Sequence, residues 1–456
     1  MAQTLYELTP SQDLLLYSQS FSLRKNINNI STMIMIDMEI DQSLFEQAML
    51  KAYERNDCFR LLMIKKEKKR YQYFQETYVP NILHLDFRGK PEEEMINTFK
   101  KFGKKNMTRP GVPLSQPYMF RGPKGETGIF LMVSHFIMDS WGICIFYRDV
   151  MEIYMALKEG KPLPKPIYPY EKILQEELAY AKSDKHQADL DFWTAEAQNN
   201  PEPMYNHMSG MGVLEKARIK AKNPNKRAAN TTDLLRNGAN HDPYIVPAEL
   251  VAKMTEVCAK YRFSMQAFFL LGLTSFLSRQ NNYEKDITIM SCVARRATIN
   301  QKNTGGSLIG LINFRVLLDD TMTAVEALKY HADEQSRCFR HCNVSPVKIF
   351  EIYRNAFNLN MLDGYLGGSL TFQPFPLQGP EGAKVTTRWI GNGVYASDFY
   401  ATVMDYDGTG GYRAYYEYKR KDVSPETIKK FHEYILRMFE TIVANPDITI
   451  EKLLRI

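Results

Sequence analysis

Apolar and polar positions along the chain change period several times, and each change predicts an element. Thr9 and Pro10 stand ahead of Leu14, Leu15, Leu16 and Tyr17, an N-cap and first-turn proline that predict a short helix within Leu8–Phe21. Ser31–Ile40 alternates β-branched residues and methionines and predicts a strand. Asp41 caps a helix to about Arg55, with Leu44, Phe45, Ala48, Met49 and Ala52 on one face. Arg60–Ile64 and Tyr71–Phe74 read as paired strands around the basic tip Lys65–Arg70, and Glu92–Lys105 as an amphipathic helix. The apolar strand Gly128–Ser134 feeds directly into a helix over Ser140–Lys158.

Four prolines in Gly160–Pro169 predict a linker between lobes. A polar helix over Glu171–Ala197 follows it. Asn199–His241 is rich in Asn, Lys and Gly and lacks periodicity, which predicts a long, partly mobile loop. Pro247–Tyr261 and Ser264–Arg279 read as successive helices, the second apolar on most faces and therefore buried. Asp286–Cys292, Leu317 with its neighbours, Leu370–Phe375, Phe399–Tyr406 and Tyr412–Tyr418 read as strands, with Asp407–Gly411 as a hairpin turn. Glu426–Ala444 closes the chain as an amphipathic helix. Both halves mix sheet and helix, and no short internal repeat is visible.

Composition narrows this picture. With 44% hydrophobic and 12% aromatic residues the chain is globular rather than disordered. At about 150 residues per domain, 456 residues allow two or three domains, or two lobes sharing one interface. Lys plus Arg number 58 against 52 Asp plus Glu, a net charge of only +6. That disfavours bulk nucleic-acid binding but suits an anionic ligand such as a phosphate-bearing cofactor. Six cysteines without a CxxC pair exclude a disulfide scaffold. The first ten residues lack the pattern of a secretory signal. The most apolar window, Ala267–Ser278, falls short of the ~20 residues that span a bilayer. A soluble, reducing, cytoplasmic setting is expected.

The segment from Phe130 to Gly142 carries the most chemistry. His135 falls where an apolar strand stops, at a rim that a substrate can reach, and Asp139 falls where the next helix starts. Neutral imidazole titrates near working pH and suits a general base. The same spacing also fits a hydrogen-bonded packing histidine and a helix N-cap, and spacing alone favours that reading. Cys338, His341 and Cys342 read as helix packing rather than a metal cluster. The basic runs Lys65–Arg70 and Lys100–Lys105 read as solvated faces.

The stretch SHFIMDSWGICIFYRDVMEIY resembles the core motif of the condensation-domain and chloramphenicol-acetyltransferase-like acyltransferase superfamily, His-His-x-x-x-Asp-Gly followed by an aromatic residue and an amphipathic helix. Other segments resemble the family's in the same order. LTPSQDLLLYSQ is similar to its opening segment, and Arg55–Met63 to its Arg-His-Glu-x-Leu-Arg segment. Pro169–Trp193 resembles its linker helix, and Tyr261–Arg296 its helix–strand unit. Leu308–Asp319 is similar to its latch, with Gly310 and Asn313 kept, and SLTFQPF resembles a later strand. Ser134 replaces the first His of the motif, Ser140 its Gly, and Asn56 the His of the opening-lobe segment.

The resemblance implies an α/β fold of two chloramphenicol-acetyltransferase-like sandwich lobes arranged as a V with a central tunnel. Residues 1–170 would form the N-terminal lobe and 171–456 the C-terminal lobe, with Gly310–Leu318 as a latch across the opening. It implies a free-standing condensation-type acyltransferase that moves an acyl group from a coenzyme A or carrier-protein phosphopantetheine thioester to an amine or hydroxyl acceptor. His135 would be the general base or acceptor-positioning residue and Asp139 a structural carboxylate paired with Arg296 or Arg60. Ser134, Ser140, Trp141 and Gly142 would complete the active-site loop, with Gly142 N–H or Ser140 as candidate oxyanion donors. No tightly bound cofactor and no metal are implied, and a carrier protein would act in trans. The replaced His and Gly also admit a degenerate condensation-like protein that binds a carrier protein or ligand without turnover.

Overall fold

Thr9 opens the first helix, Pro10–Ser20, through a reciprocal cap in which its backbone N–H donates to Gln12 Oε1 at 2.9 Å and its hydroxyl accepts the Gln12 amide. The computed structural model describes residues 4–107, 111–230, 237–373, 377, 379–405 and 408–456. Among these, two main sheets are built from β1 (Asn29–Ile36), β2 (Leu83–Asp86), β3 (Ser115–Arg121), β4 (Thr127–Ser134), β5 (Ala239–Val246), β6 (Asp286–Val293), β7 (Gly310–Leu317), β8 (Ser369–Gln373), β9 (Val385–Trp389), β10 (Phe399–Asp405) and β11 (Tyr412–Lys419). The first sheet has the order β9-β1-β4-β3-β2, and the second β7-β6-β8-β10-β11-β5. Residues 231–236 of the expected loop, Pro374 and Phe375 of one expected strand, and Tyr406 and Asp407 lie outside the described residues.

Strand β4 is buried on both faces, which explains its unbroken apolar run. Ile129, Leu131 and Val133 pack with the helices Gln42–Arg55 and Ser140–Lys158. Phe130 and Met132 pack with Met95 and Phe99 of the helix Glu92–Phe102. In the second sheet Ile287, Ile289, Phe314, Val316, Ala401 and Val403 meet the helices Ala248–Tyr261, Gln266–Gln280, Ala324–Phe339 and Pro425–Ala444. The opposite face, including Cys292, Thr371, Tyr400 and Glu417, borders a cavity.

Several expectations need correcting. The helix expected over Glu171–Ala197 is two, Tyr170–Tyr180 and Asp184–Asn199, because the Ser183 hydroxyl accepts the His186 amide at 3.2 Å and caps the second. The segment expected as a loop contains the helix Gly212–Ala221. Gly310–Leu317, expected as a latch, forms a regular edge strand antiparallel to β6. The segment that crosses is β9, which pairs antiparallel with β1 from Thr32↔Trp389 to Ile36↔Val385. It lies beyond residue 170 yet completes the first sheet.

The two halves are also joined by buried charge. Arg295, at φ +42° just past β6, donates to Glu177 Oε1 at 3.1 Å and Oε2 at 2.5 Å, and to the Ser11 hydroxyl at 2.8 Å. Ser11 in turn donates to the Ile309 carbonyl at 2.7 Å. The linker helix and first helix are thereby tied to one corner of the second sheet. Removing one partner of a buried, hydrogen-bonded ion pair strands the other charge. Glu177→Ala is therefore expected to cost about 3–5 kcal/mol of stability in urea unfolding, with the E177A/R295M double variant recovering most of it. A loss for E177A below about 1 kcal/mol, the range of an exposed pair, would contradict this assignment.

Candidate active site

Strand β4 ends at Ser134, whose amide donates to the Leu114 carbonyl at 2.8 Å and whose hydroxyl accepts the Phe136 amide at 3.4 Å. The next peptide turns away from the sheet, and His135 N–H donates to the Asn28 carbonyl at 2.7 Å. The loop then runs to Asp139, the N-cap of Ser140–Lys158, whose Oδ1 accepts the Gly142 amide at 2.8 Å.

Asp139 is more than a cap. Arg296 Nη2 donates to its two oxygens at 2.8 and 3.0 Å, and the Leu308 amide donates to Oδ2 at 2.8 Å. Arg296 also donates to the carbonyls of Gln301 at 2.6 Å and Thr304 at 2.9 Å, and to those of Gly305 and Gly306 at 3.2 Å each. Asp139 N–H returns to the Gly306 carbonyl at 3.0 Å. Both side chains are buried, and this number of partners is what a buried ion pair requires. Of the two arginines expected from the sequence, Arg296 pairs with Asp139. Arg60 instead donates to the carbonyls of Gln75 at 2.8 Å and Glu76 at 3.1 Å.

The segment Thr304–Leu308, which no periodicity in the sequence marks, is thus the floor of the site. Its one sequence signal is the glycine pair. Gly306 has φ +78°, and a Cβ there would sit 2.0 Å from the Tyr170 ring, so no other residue fits. Beneath Gly305, a Cβ would meet Asn56 Oδ1 at 2.5 Å, which shows how closely the opening-lobe segment supports the floor.

His135 is half-buried on the wall of the cavity, and its Nδ1 lies 3.5 Å from the Ser307 hydroxyl. Burial pushes its pKa below the ordinary value, with the Asp139 carboxylate pulling the other way. The imidazole is therefore neutral at working pH and able to accept a proton. Trp141 Nε1 donates to the Lys302 carbonyl at 3.1 Å. The Ser140 hydroxyl donates to Gln373 Oε1 on the second sheet. The Gly142 amide is committed to Asp139, which corrects its assignment as an oxyanion donor. A Cβ on Gly142 would approach Met138 Cγ to 2.9 Å and the Gly306 carbonyl to 3.0 Å.

The cavity measures about 640 Å³ and is walled by both halves: Leu14 and Tyr17 of the first helix, His135, and the polar face of the second sheet. Asn313 on β7 lines it, and its buried Oδ1 makes no hydrogen bond. Gly310, by contrast, is packed, with Arg295 Cδ 2.9 Å from the place of a Cβ. Cys338 and Cys342 pack with Trp193, Ile312 and Ile349. His341 stacks on Phe192 with ring centres 3.8 Å apart, and burial pushes the Cys342 thiol up to about 11. Among the described residues, no group of three or more His, Cys, Asp or Glu side chains is placed to hold a metal ion, and no helix is long and apolar enough to cross a membrane.

The fold is thus a mixed α/β one that carries a His-x-x-x-Asp loop on a cavity between its two sheets. The condensation-domain family model matches residues 2–455, so the chain belongs to the condensation-domain family. Condensation domains are acyltransferases in general and need no tightly bound cofactor. The chain is 20% identical to a plipastatin synthase of Bacillus subtilis (strain 168) over 99% of its own length and 17% of that protein. It is 23% identical to surfactin synthase subunit 1 of the same organism, over 99% of the chain and 12% of that protein. It thus spans less than a fifth of either relative. Among solved structures it matches the first condensation domain of the calcium-dependent antibiotic synthetase in complex with a substrate analogue, with a TM-score of 0.81 and 17% identity over 98% of both chains. It also matches the starter condensation domain of rhizomide synthetase in complex with C8-CoA, with a TM-score of 0.80 and 16% identity over 98% of this chain and 97% of that one.

The geometry separates the two arginines experimentally. Asp139→Ala, which strands Arg296, is expected to cost about 3–5 kcal/mol in chemical unfolding. Arg60→Met, which gives up bonds to two loop carbonyls, is expected to cost about 1 kcal/mol. Equal losses would contradict the assignment.

Proposed function

We propose that this chain is a condensation-type acyltransferase that moves an acyl group from a thioester, on coenzyme A or a carrier-protein phosphopantetheine arm, to an amine or hydroxyl acceptor. The observation that carries this reading is His135: a neutral imidazole on the wall of a large cavity, on a loop held by the buried Asp139–Arg296 pair. With Nδ1 turned to Ser307, Nε2 is the ring nitrogen left for an acceptor. It would take the acceptor's proton as the acceptor attacks the thioester carbonyl, or hold the acceptor in line for attack. The thiolate leaves with its carrier, and no covalent enzyme intermediate is needed. The thioester would enter the cavity from one side and the acceptor from the other, as through a tunnel between two lobes. A cytoplasmic setting accords with this use of thioesters.

The two replaced motif residues are compatible with catalysis. Ser134 lies wholly inside the strand end and bonds its own loop, so the first position shapes the loop and does not face the substrate. Ser140 tolerates the loop because it begins a regular helix. The rival reading, binding without turnover, draws on those same replacements.

His135→Ala decides between them. The variant is expected to fold and to lose about 10²–10⁴ in kcat, the usual contribution of a positioned acid–base group. Unchanged turnover across acyl-coenzyme A donors with amines and alcohols would sink the general-base role. The pH profile gives a second check. A base whose pKa is depressed stays unprotonated to lower pH, so the rate is full at neutral pH and falls on acidification with a midpoint below 6.5. A midpoint above 6.5 would contradict the burial described.

A further inference from the structure

We infer that Glu417 makes one wall of the cavity a recognition site for a cationic amine carried by the substrate, which rests on the cavity being the substrate site of acyl transfer. Three carboxylates line the cavity: Asp139, Asp363 and Glu417. Asp139 is neutralised by Arg296 at 2.8 Å and Asp363 by Lys226 at 2.5 Å. Among the described residues Glu417 has no such cation. Its ion-pair neighbour there is the His241 imidazole, with Nδ1 3.4 Å from Oε1, and both side chains are largely buried.

That neighbour does not supply the missing donor. The backbone carbonyl of Trp389 can only accept, so His241 Nε2, 3.2 Å away, carries the hydrogen. Nδ1, 3.4 Å from Oε1, makes no hydrogen bond to the carboxylate. The Glu417 carboxylate therefore lines the cavity without a hydrogen-bonded donor or a fixed cation among the described residues. A ligand ammonium would supply both from the cavity.

The surroundings favour an ammonium. Glu417 lies opposite His241 on β5 and opposite Tyr400 on β10, in one cross-strand row. The Tyr400 ring stacks on Tyr395 with centres 5.1 Å apart and planes within 9°. The Tyr400 hydroxyl is 2.7 Å from the Thr371 hydroxyl. Aromatic faces and a desolvated carboxylate together select a cation. The guanidinium of Arg354, on the same cavity, is engaged elsewhere, 3.3 Å from the Tyr17 hydroxyl of the first helix. The amine belongs either to the acyl chain or to the acceptor, since both enter the same cavity.

Calorimetric titration of the full chain with matched probes tests this. The donor arm compares 6-aminohexanoyl-coenzyme A with heptanoyl-coenzyme A. The acceptor arm compares lysyl N-acetylcysteamine thioester with its 2-aminoheptanoyl counterpart. In each pair a methyl replaces the terminal ammonium. The expected result is a preference of about tenfold or more for the cationic probe in one arm, which identifies the source of the amine. That preference should vanish in E417Q and reverse in E417K, both checked for an unchanged circular dichroism spectrum. No preference in either arm, or a preference that survives E417Q, overturns the inference. Transfer assayed on the same samples keeps the two readings apart. Turnover without cation preference rejects the Glu417 site alone, and cation preference without turnover rejects acyl transfer alone.

Discussion

The Asp139 carboxylate is the constraint on which the site depends. It accepts from Gly142, Leu308 and Arg296, joining the start of one helix, the floor segment and the end of β6. Each of these bonds would be weak in water. In a buried setting they are strong together, and the loss of any one leaves another group unsatisfied. The consequence is positional. His135 stands four residues before Asp139 on a loop with little freedom, so its ring is set by the meeting of two sheets and not by the loop itself. Arg295 adds a second tie one residue away, to the linker helix and the first helix. Two consecutive arginines thus hold the halves together from one strand end.

The second constraint is the asymmetry of the second sheet. One face is committed to the large apolar core with four helices. The other carries hydroxyls, an amide and a carboxylate into the cavity. A polar sheet face enclosed in this way fits the proposed substrate site. The Ser140–Gln373 hydrogen bond links this face directly to the His135 loop, so the cavity wall and the proposed base share one framework.

Legibility in the sequence followed periodicity. The helix Ser140–Lys158, the apolar strand before it and the amphipathic helices were readable because each presents a regular face to a core. The strands that escaped were those without such a face. Leu83–Asp86 is a largely exposed edge, and Ala239–Val246 is an edge strand that contains Pro243. Val385–Trp389 is mostly polar and finds its partner some 350 positions away in sequence, which no local pattern encodes. Ser115–Arg121 hides a proline as well. Pro117 is tolerated because pairing with β2 begins only at Tyr118. At the site, His135 and Asp139 were readable from the junction of strand and helix. The choice of Arg296 over Arg60 was not, because it depends on how the chain returns through Thr304–Leu308. The crossing of Val385–Trp389 between sheets was hidden for the same reason, since it is a property of the fold and not of any local pattern.

The central claim is that this framework serves acyl transfer. Its most direct test is mass spectrometry of products formed by the unmodified chain from a panel of acyl-coenzyme A donors and phosphopantetheinylated carrier proteins, each offered amine and alcohol acceptors. The account predicts an acceptor that has gained the acyl mass, with free thiol released in equal amount and only when the chain is present. Intact thioester and unmodified acceptor across the whole panel would contradict it.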